Sequence, residues 1–246
     1  MHTRFAYHAI SVTGRRPANE DAWRVHRYGE TLFCAVADGI GGRPAGDVAA
    51  SLAVQTAEEV ASRVFRDSSA GETEPDVAAT LREAHVAADL AVKTVATGRN
   101  QGMGTTLTTA IFTEGCLTTC NTGDSRCSLV RDGKLIPVTR DHSLVQDQID
   151  AGIIHPDDAF AHPKKHIITR SIGGHFAADV RKTPLKPGDT VILSTDGMHD
   201  YLTPDAIVRV VQGKSAEEAA AALLSEAAVT SWDNITVCVV TIVENQ

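Results

Sequence analysis

The feature that most restricts the fold is how the two periodicities are grouped along the chain. Alternating, β-branched runs come in sets joined by turn dipeptides, and helical spacing comes in separate pairs. Strands are predicted first at 4–12, 22–27 and 31–37, the last two joined through Gly29-Glu30. A helix follows over 45–65, where Val48, Leu52, Val54, Val60 and Val64 recur among alanines; a second starts at Pro75 and runs to about residue 97, beyond a polar loop at 67–74. Strand patterns resume at 105–113, 116–121, 127–130 and 135–138, with Glu114-Gly115 and Asp132-Gly133 as hairpin turns. Three more are expected at 167–172, 178–183 and 190–195, with the turn Pro187-Gly188-Asp189 between the last two. Two helices, opened by Thr203-Pro204 and by the capping box Ser215-Ala216-Glu217-Glu218, precede a final strand at 235–243. Strands and helices fall in blocks, so the fold class is α+β with antiparallel sheets, not a doubly wound nucleotide fold.

The 246 residues carry no repeat or linker and are read as a single domain, 1–246. Residues 142–165 break the pattern with a short helical piece near 143–151 and a Pro- and His-bearing loop at 154–163, read as a flap. An apolar fraction of 43% is that of a globular chain with a substantial core. No run reaches the length of a membrane span, and Met1-His2-Thr3-Arg4-Phe5 has no apolar leader, so the expected location is cytoplasmic. A net charge of -8 with dispersed Lys and Arg disfavours nucleic acid or a membrane surface as partner. Cys34, Cys116, Cys120, Cys127 and Cys238 lack zinc-site spacing and are expected to be buried thiols.

Carboxylates are spread through this frame in a particular setting. The motifs Arg16-Pro17-Ala18-Asn19-Glu20-Asp21, Asp38-Gly39-Ile40-Gly41-Gly42, Gly123-Asp124-Ser125-Arg126, Ser194-Thr195-Asp196-Gly197 and Asp233-Asn234 hold acids next to small or turn-forming residues, not in acidic runs. Asp38, Asp124 and Asp196 each follow a predicted strand or join two, and Asp233 precedes one. A sandwich would gather such strand ends at one rim, where short carboxylates and a backbone carbonyl can meet a hard cation. Taken singly, Asp-Gly is an ordinary turn dipeptide. The information lies in the conjunction and its order.

That order resembles the metal-dependent protein phosphatases of the PPM, or type 2C, family, and specifically their compact bacterial members. Gly104-Thr105-Thr106, Asp141-His142-Ser143, Thr169-Arg170-Ser171-Ile172-Gly173, Pro187-Gly188-Asp189 and Asp233-Asn234-Ile235-Thr236 extend the match from Arg16 to Val240. The resemblance implies a four-layer αββα sandwich, two antiparallel sheets flanked by helix pairs, and a protein serine/threonine phosphatase. It implies two Mn²⁺ or Mg²⁺ ions, with Asp38 bridging them, the Gly39 carbonyl on one, and Asp196 and Asp233 on the other. Glu20 and Asp21 would hold metal-bound water, and Asp124 with Asp196 would hold a third, weaker ion. Attack on the phosphorus would come directly from a metal-bridging hydroxide, with Arg16 forking two hydrogen bonds onto the phosphate. The alternative for Arg16 is a salt bridge to Glu20 or Asp21.

Ile40 stands where many eukaryotic relatives have a His proposed as the general acid. A metal-bound water or another histidine must then supply the proton; His142 and His162 are candidates by motif position, each also readable as a structural or flap residue. His166 stands where the family often has Asn. Arg43 is a candidate substrate contact or a solvated loop residue. Partners implied are phosphorylated proteins, above all a Hanks-type Ser/Thr kinase and its substrates, met in solution by a monomer. Two other functions are weighed: a silent, phosphoprotein-binding pseudophosphatase, and a hydrolase of small phosphate esters.

Overall fold

The computed structural model describes residues 3–40, 45–67 and 75–244. Among the described residues, ten strands and six helices fall in blocks: β1 (Thr3–Val12), β2 (Asp21–Tyr28), β3 (Thr31–Asp38), α1 (Gly46–Asp67), α2 (Val77–Val95), β4 (Leu107–Thr113), β5 (Cys116–Thr122), β6 (Arg126–Arg131), β7 (Lys134–Pro137), α3 (Leu144–Asp150), β8 (Asp179–Pro184), β9 (Thr190–Ser194), α4 (Asp196–His199), α5 (Pro204–Val211), α6 (Ala216–Ala228) and β10 (Ile235–Glu244). One sheet has the order β1-β10-β9-β6-β7 and the other β2-β3-β4-β5-β8. Their pairings are antiparallel.

Strand alternation explains why the layers number four. In β3, Leu32, Cys34 and Val36 point into the space between the sheets, while Phe33, Ala35 and Ala37 pack under α1 and α2. In β10, Cys238, Val240 and Ile242 enter the same inter-sheet core, while Ile235, Val237 and Val239 meet α5 and α6. Strands covered on both faces read as near-continuous apolar runs. Each large side chain fully buried this way contributes about 1.5–3 kcal/mol. Along α1, Ala49, Ala50, Ala53, Ala57 and Ala61 form a narrow stripe that lets the helix lie close on the second sheet.

Three expectations need correction. Residues 167–172 do not form a strand: Ile168 bridges Ser143 and Ile172 bridges Thr105. The segment passes from one partner to another, because β8 already occupies the edge beside β5. Helix α2 is capped by Asp76, whose side chain accepts from the amides of Ala78 and Ala79, so Pro75 lies before the cap. The third is α4, a four-residue helix that opens on Asp196 directly after β9 and was not predicted, being too short to show a period. The capping box at Ser215 and Glu218 and the Thr203 cap of α5 are as expected. The five cysteines are free thiols, four of them buried. Arg43, with Gly41 and Gly42, and all but the first residue of the loop expected at 67–74 lie outside the described residues.

Candidate active site

Asp38 ends β3 directly opposite Asp21, which starts β2. The Asp38 amide donates to Thr106 Oγ1 at 2.8 Å. Its carbonyl accepts from the Thr106 amide at 2.9 Å and from Thr105 Oγ1 at 2.8 Å. Thr106 Oγ1 also bonds Ser125 Oγ at 2.7 Å, which ties this strand end to the Asp124 loop. On the other sheet, Asp196 is the first residue of α4. The adjacent Gly197 presses on the chain that carries Asp233: a Cβ there would lie 1.9 Å from the Asn234 carbonyl oxygen. Only glycine allows Asp196 and Asp233 to come together this way.

Asn234 fastens the last corner. Its side chain donates to the carbonyls of Thr13 and Ala18 and accepts the Glu20 amide, each at 2.8 Å. The result is a cavity of about 370 Å³ between the sheet ends, lined by Arg16, Glu20, Asp38, Gly39, Ile40, Thr106, Asp124, His166, Ile168, Asp196, Asp233 and Asn234.

Negative charge is concentrated here, with little among the described residues to balance it. Burial, then the neighbouring acids, push Asp38 and Asp124 well above the usual carboxylate range. Burial likewise raises Asp196 to about 6, with Asp233 and Asp200 adding to it, although a hydrogen bond with Asp38 opposes the rise. Asp21 stands behind this pair, outside the cavity lining; its Oδ2 accepts from Thr195 Oγ1 at 2.8 Å and Thr236 Oγ1 at 2.7 Å, and burial raises it to about 7. Asp21 Oδ1 and Asp196 Oδ1 are buried without a hydrogen-bond partner.

Hard oxygen donors that repel one another and leave buried lone pairs unused fit a divalent cation. Arg16 is the cation of the lining; Nη2 lies 2.7 Å from Asp233 Oδ2, so its salt bridge is to Asp233 and not to Glu20 or Asp21. That hydrogen bond, followed by the field of Asp233, Asp196 and Asp38 working against burial, raises the guanidinium pKa. Among the described residues, no three acidic, histidine or cysteine side chains form a closed ligand trio. An open shell of one or two carboxylates, a carbonyl such as that of Gly39, and water is the kind that Mg²⁺ takes.

His142 and His162 take the structural and flap places that the sequence left open to them, and His166 faces the cavity. His142 is buried away from the cavity; Nδ1 accepts the Gly123 amide at 3.1 Å, Nε2 lies 3.1 Å from Asp179, and the His142 amide donates to the Gly123 carbonyl at 2.9 Å. It clamps the loop that carries Asp124, the structural alternative weighed for it. His162 folds onto its own flap, accepting the Lys164 amide, and does not line the cavity. His166 does line it, together with Ile168 and Thr106. Sequence reasoning passed over Thr106 and Ile168 as ligand-lining residues, although Thr106 lies in a motif it had singled out.

A second cavity, of about 230 Å³, lies beneath the flap and is lined among others by Val145, Ile149, Phe160, Met198, Asp141, Asp200, Arg126 and Lys165. Its acids are paired: Arg126 holds Asp141 through both Nε and Nη2, and Lys165 Nζ bonds the Asp200 carbonyl at 2.9 Å and lies 3.3 Å from its carboxylate.

Fold and rim together define a sandwich with a hard-cation cavity at the strand ends. Residues 14–227 match the family Protein phosphatase 2C, and the chain belongs to that family. It is 32% identical over 231 residues to the serine/threonine protein phosphatase PstP of Mycobacterium tuberculosis, covering 93% of this chain and 43% of that protein. The chain thus spans less than half the length of that relative. The serine/threonine phosphatase stp of Listeria monocytogenes is 32% identical over 209 residues, which are 83% of this chain and 82% of that one. A crystal structure of the PstP catalytic domain in complex with two manganese ions superposes with a TM-score of 0.83 at 31% identity, covering 98% of this chain and all (100%) of that one.

Proposed function

We propose that this chain is a protein serine/threonine phosphatase that works with two bound Mn²⁺ or Mg²⁺ ions. The observation that carries the reading is the cluster of Asp38, Asp124, Asp196 and Asp233 around one cavity, with buried unpartnered carboxylate oxygen and Arg16 at its edge. Asp38, the Gly39 carbonyl, Asp196 and Asp233 would hold the pair; Glu20 and Asp21 would orient water, and Asp124 with Asp196 would take a third, weaker ion. Bound there, the ions neutralise phosphoryl charge and lower the pKa of water enough to give a nucleophile near neutral pH.

The remaining roles belong to the chain itself. Thr105 and Thr106 fix the Asp38 backbone so that its carboxylate does not have to be ordered during the reaction. Arg16, now held by Asp233, exchanges that partner for two phosphate oxygens, for which its planar fork is suited. Ile40 and Ile168 give the cavity apolar wall, which strengthens charge interactions inside it. His166 lines the cavity, and this supports giving it the proton for the departing alkoxide in place of the histidine that Ile40 replaces.

Phosphorylated proteins, including a Ser/Thr kinase and its targets, are the partners this reading implies, with the chain acting as a cytoplasmic monomer. Among the described residues, no helix is long and apolar enough to cross a membrane. Initial rates on a phosphothreonine peptide, using metal-stripped protein with and without Mn²⁺, test the proposal. Turnover that requires metal and is lost in Asp38→Ala is expected. A folded, peptide-binding protein without turnover at any metal concentration would assign it instead to the silent phosphoprotein binders, and faster turnover of small esters than of the peptide would make it a small-ester hydrolase.

A further inference from the structure

Beside the acidic cavity lies a surface that the hydrolytic chemistry does not use. Trp232, immediately before Asp233, is 67% exposed, and Val229, at the end of α6, is 69% exposed. Arg15, immediately before Arg16, joins them: its Cζ sits 4.6 Å over the centre of the indole, and its Nη2 donates to the Val229 carbonyl at 2.9 Å. A tryptophan left this open forgoes much of the stabilisation that burying it would give, about 25 cal/mol per Å².

Exposure here is not looseness. Ser231, buried, accepts the Asp233 amide at 3.2 Å and so fixes the turn with Trp232 at its tip. The loop bearing Arg15 is wedged against the same turn: a Cβ on Gly14, whose φ is +60°, would lie 2.1 Å from the Asp233 carbonyl oxygen. Asn234 adds its two bonds to Thr13 and Ala18. Two adjacent arginines therefore divide their work. Arg16 turns into the cavity and Arg15 turns onto the indole, and both are carried by one rigid corner. A preorganised Trp–Arg pair beside a valine is the composition of a binding hot spot, since little side-chain freedom is left to lose.

The geometry points to Trp232, Arg15 and Val229 as a docking platform for the substrate chain, taking an apolar side chain that flanks the phosphorylated residue. The inference rests on the phosphatase reading for what enters the cavity. Trp232 and Arg15 each stand one residue before a residue that lines the cavity, Asp233 and Arg16. An extended peptide advances roughly 3.3 Å per residue, so a neighbour of the phosphoresidue reaches the indole while the phosphate lies at Arg16. Arg15 also adds positive charge where an anionic peptide must approach a chain of net charge -8.

The test uses two phosphothreonine peptides that differ only in having Leu or Ser on both sides of the phosphothreonine, assayed with Mn²⁺. The expected Leu-to-Ser ratio of kcat/KM is about tenfold in the wild type. It should fall to about one in Trp232→Ala, be largely restored in Trp232→Phe, and drop partway in Arg15→Ala. A wild-type ratio near one, a ratio undiminished in Trp232→Ala, or a preference for Asp over Leu at these positions would overturn the assignment. Fluorescence anisotropy of the same labelled peptides, with Mn²⁺-loaded protein, reads the ratio without turnover. A binding ratio that is present and lost in Trp232→Ala, from a protein that hydrolyses neither peptide, would sink the phosphatase reading and leave the platform standing.

Discussion

Two cavities flank the short helix α4, and they differ in how their buried carboxylates are paired. At its start, Asp196 joins Asp38, Asp124 and Asp233 in a cavity whose lining, among the described residues, offers one arginine. Just past its end, Asp200 shares the flap cavity with Asp141, and each has its own cation, Lys165 or Arg126. Burial raises the pKa of both Asp200 and Asp196, but at Asp200 the next influences, Lys165 and Arg126, oppose the rise, whereas at Asp196 the next, Asp233, adds to it. A carboxylate with a dedicated cation holds the fold together. On the proposed reading, a group of carboxylates with few cations among the described residues stores repulsion that an incoming ion would relieve, and that surplus would set the site apart from packing.

The sharpest way to break this contrast is to remove one surplus charge. Asp38→Asn should lower kcat/KM on a phosphothreonine peptide by more than about 10³-fold, while raising the thermal stability of the metal-free protein. A variant that loses activity but also unfolds earlier without metal would mean that Asp38 is a structural acid like Asp141.

The next effect is in pH. Asp196 and Asp21 have folded pKa values of about 6 and about 7, above the 3.8 of an ordinary Asp. The metal-free fold therefore binds more protons than the unfolded chain between these values. Their contribution to stability is fully present below about pH 4 and is lost as pH rises from there through about 6 to 7. Chemical denaturation of metal-free protein across that window should show the loss, and Asp196→Asn should flatten it. A wild-type profile parallel to that of the variant would remove the electrostatic argument.

In the flap cavity the sign reverses. Asp141→Ala leaves Arg126 without its partner and should destabilise the protein by about 2 kcal/mol in urea melts, with or without Mn²⁺. The smallest effect concerns geometry rather than charge. Arg16→Lys keeps the positive charge but gives up the fork, and about a tenfold fall in kcat/KM on the peptide is expected. An unchanged rate would show that Arg16 serves only as a counter-ion to Asp233.

Much of this was legible in the sequence because the two-sided burial of β3 and β10 leaves unmistakable apolar runs, and the acids fall at the ends of such runs. What period and turn chemistry could not show was local. Helix α4 is one turn long, so the residues separating the two cavities carried no period. The apolar run at 167–172 resembled a strand, but its partners change along its length. Sequence spacing likewise could not separate His142, which clamps Gly123, from His166, which lines the cavity, because that distinction depends on which way a ring faces after folding. Nor did it show which acids have a cation: Asp141 and Asp196 both sit beside Ser- or His-bearing loops, and only the fold brings Arg126 to the first. Trp232 had a signal in the chain, an aromatic residue directly before Asp233-Asn234, but its exposure had none.

Titration calorimetry of Mn²⁺ into metal-stripped protein near neutral pH, for the wild type, Asp38→Asn and Asp141→Ala, tests the difference between the cavities most directly. Two ions should bind per wild-type chain, binding should be lost in Asp38→Asn, and whatever fraction of Asp141→Ala remains folded should retain it. Equal Mn²⁺ binding by the wild type and Asp38→Asn, or none by either, would contradict it.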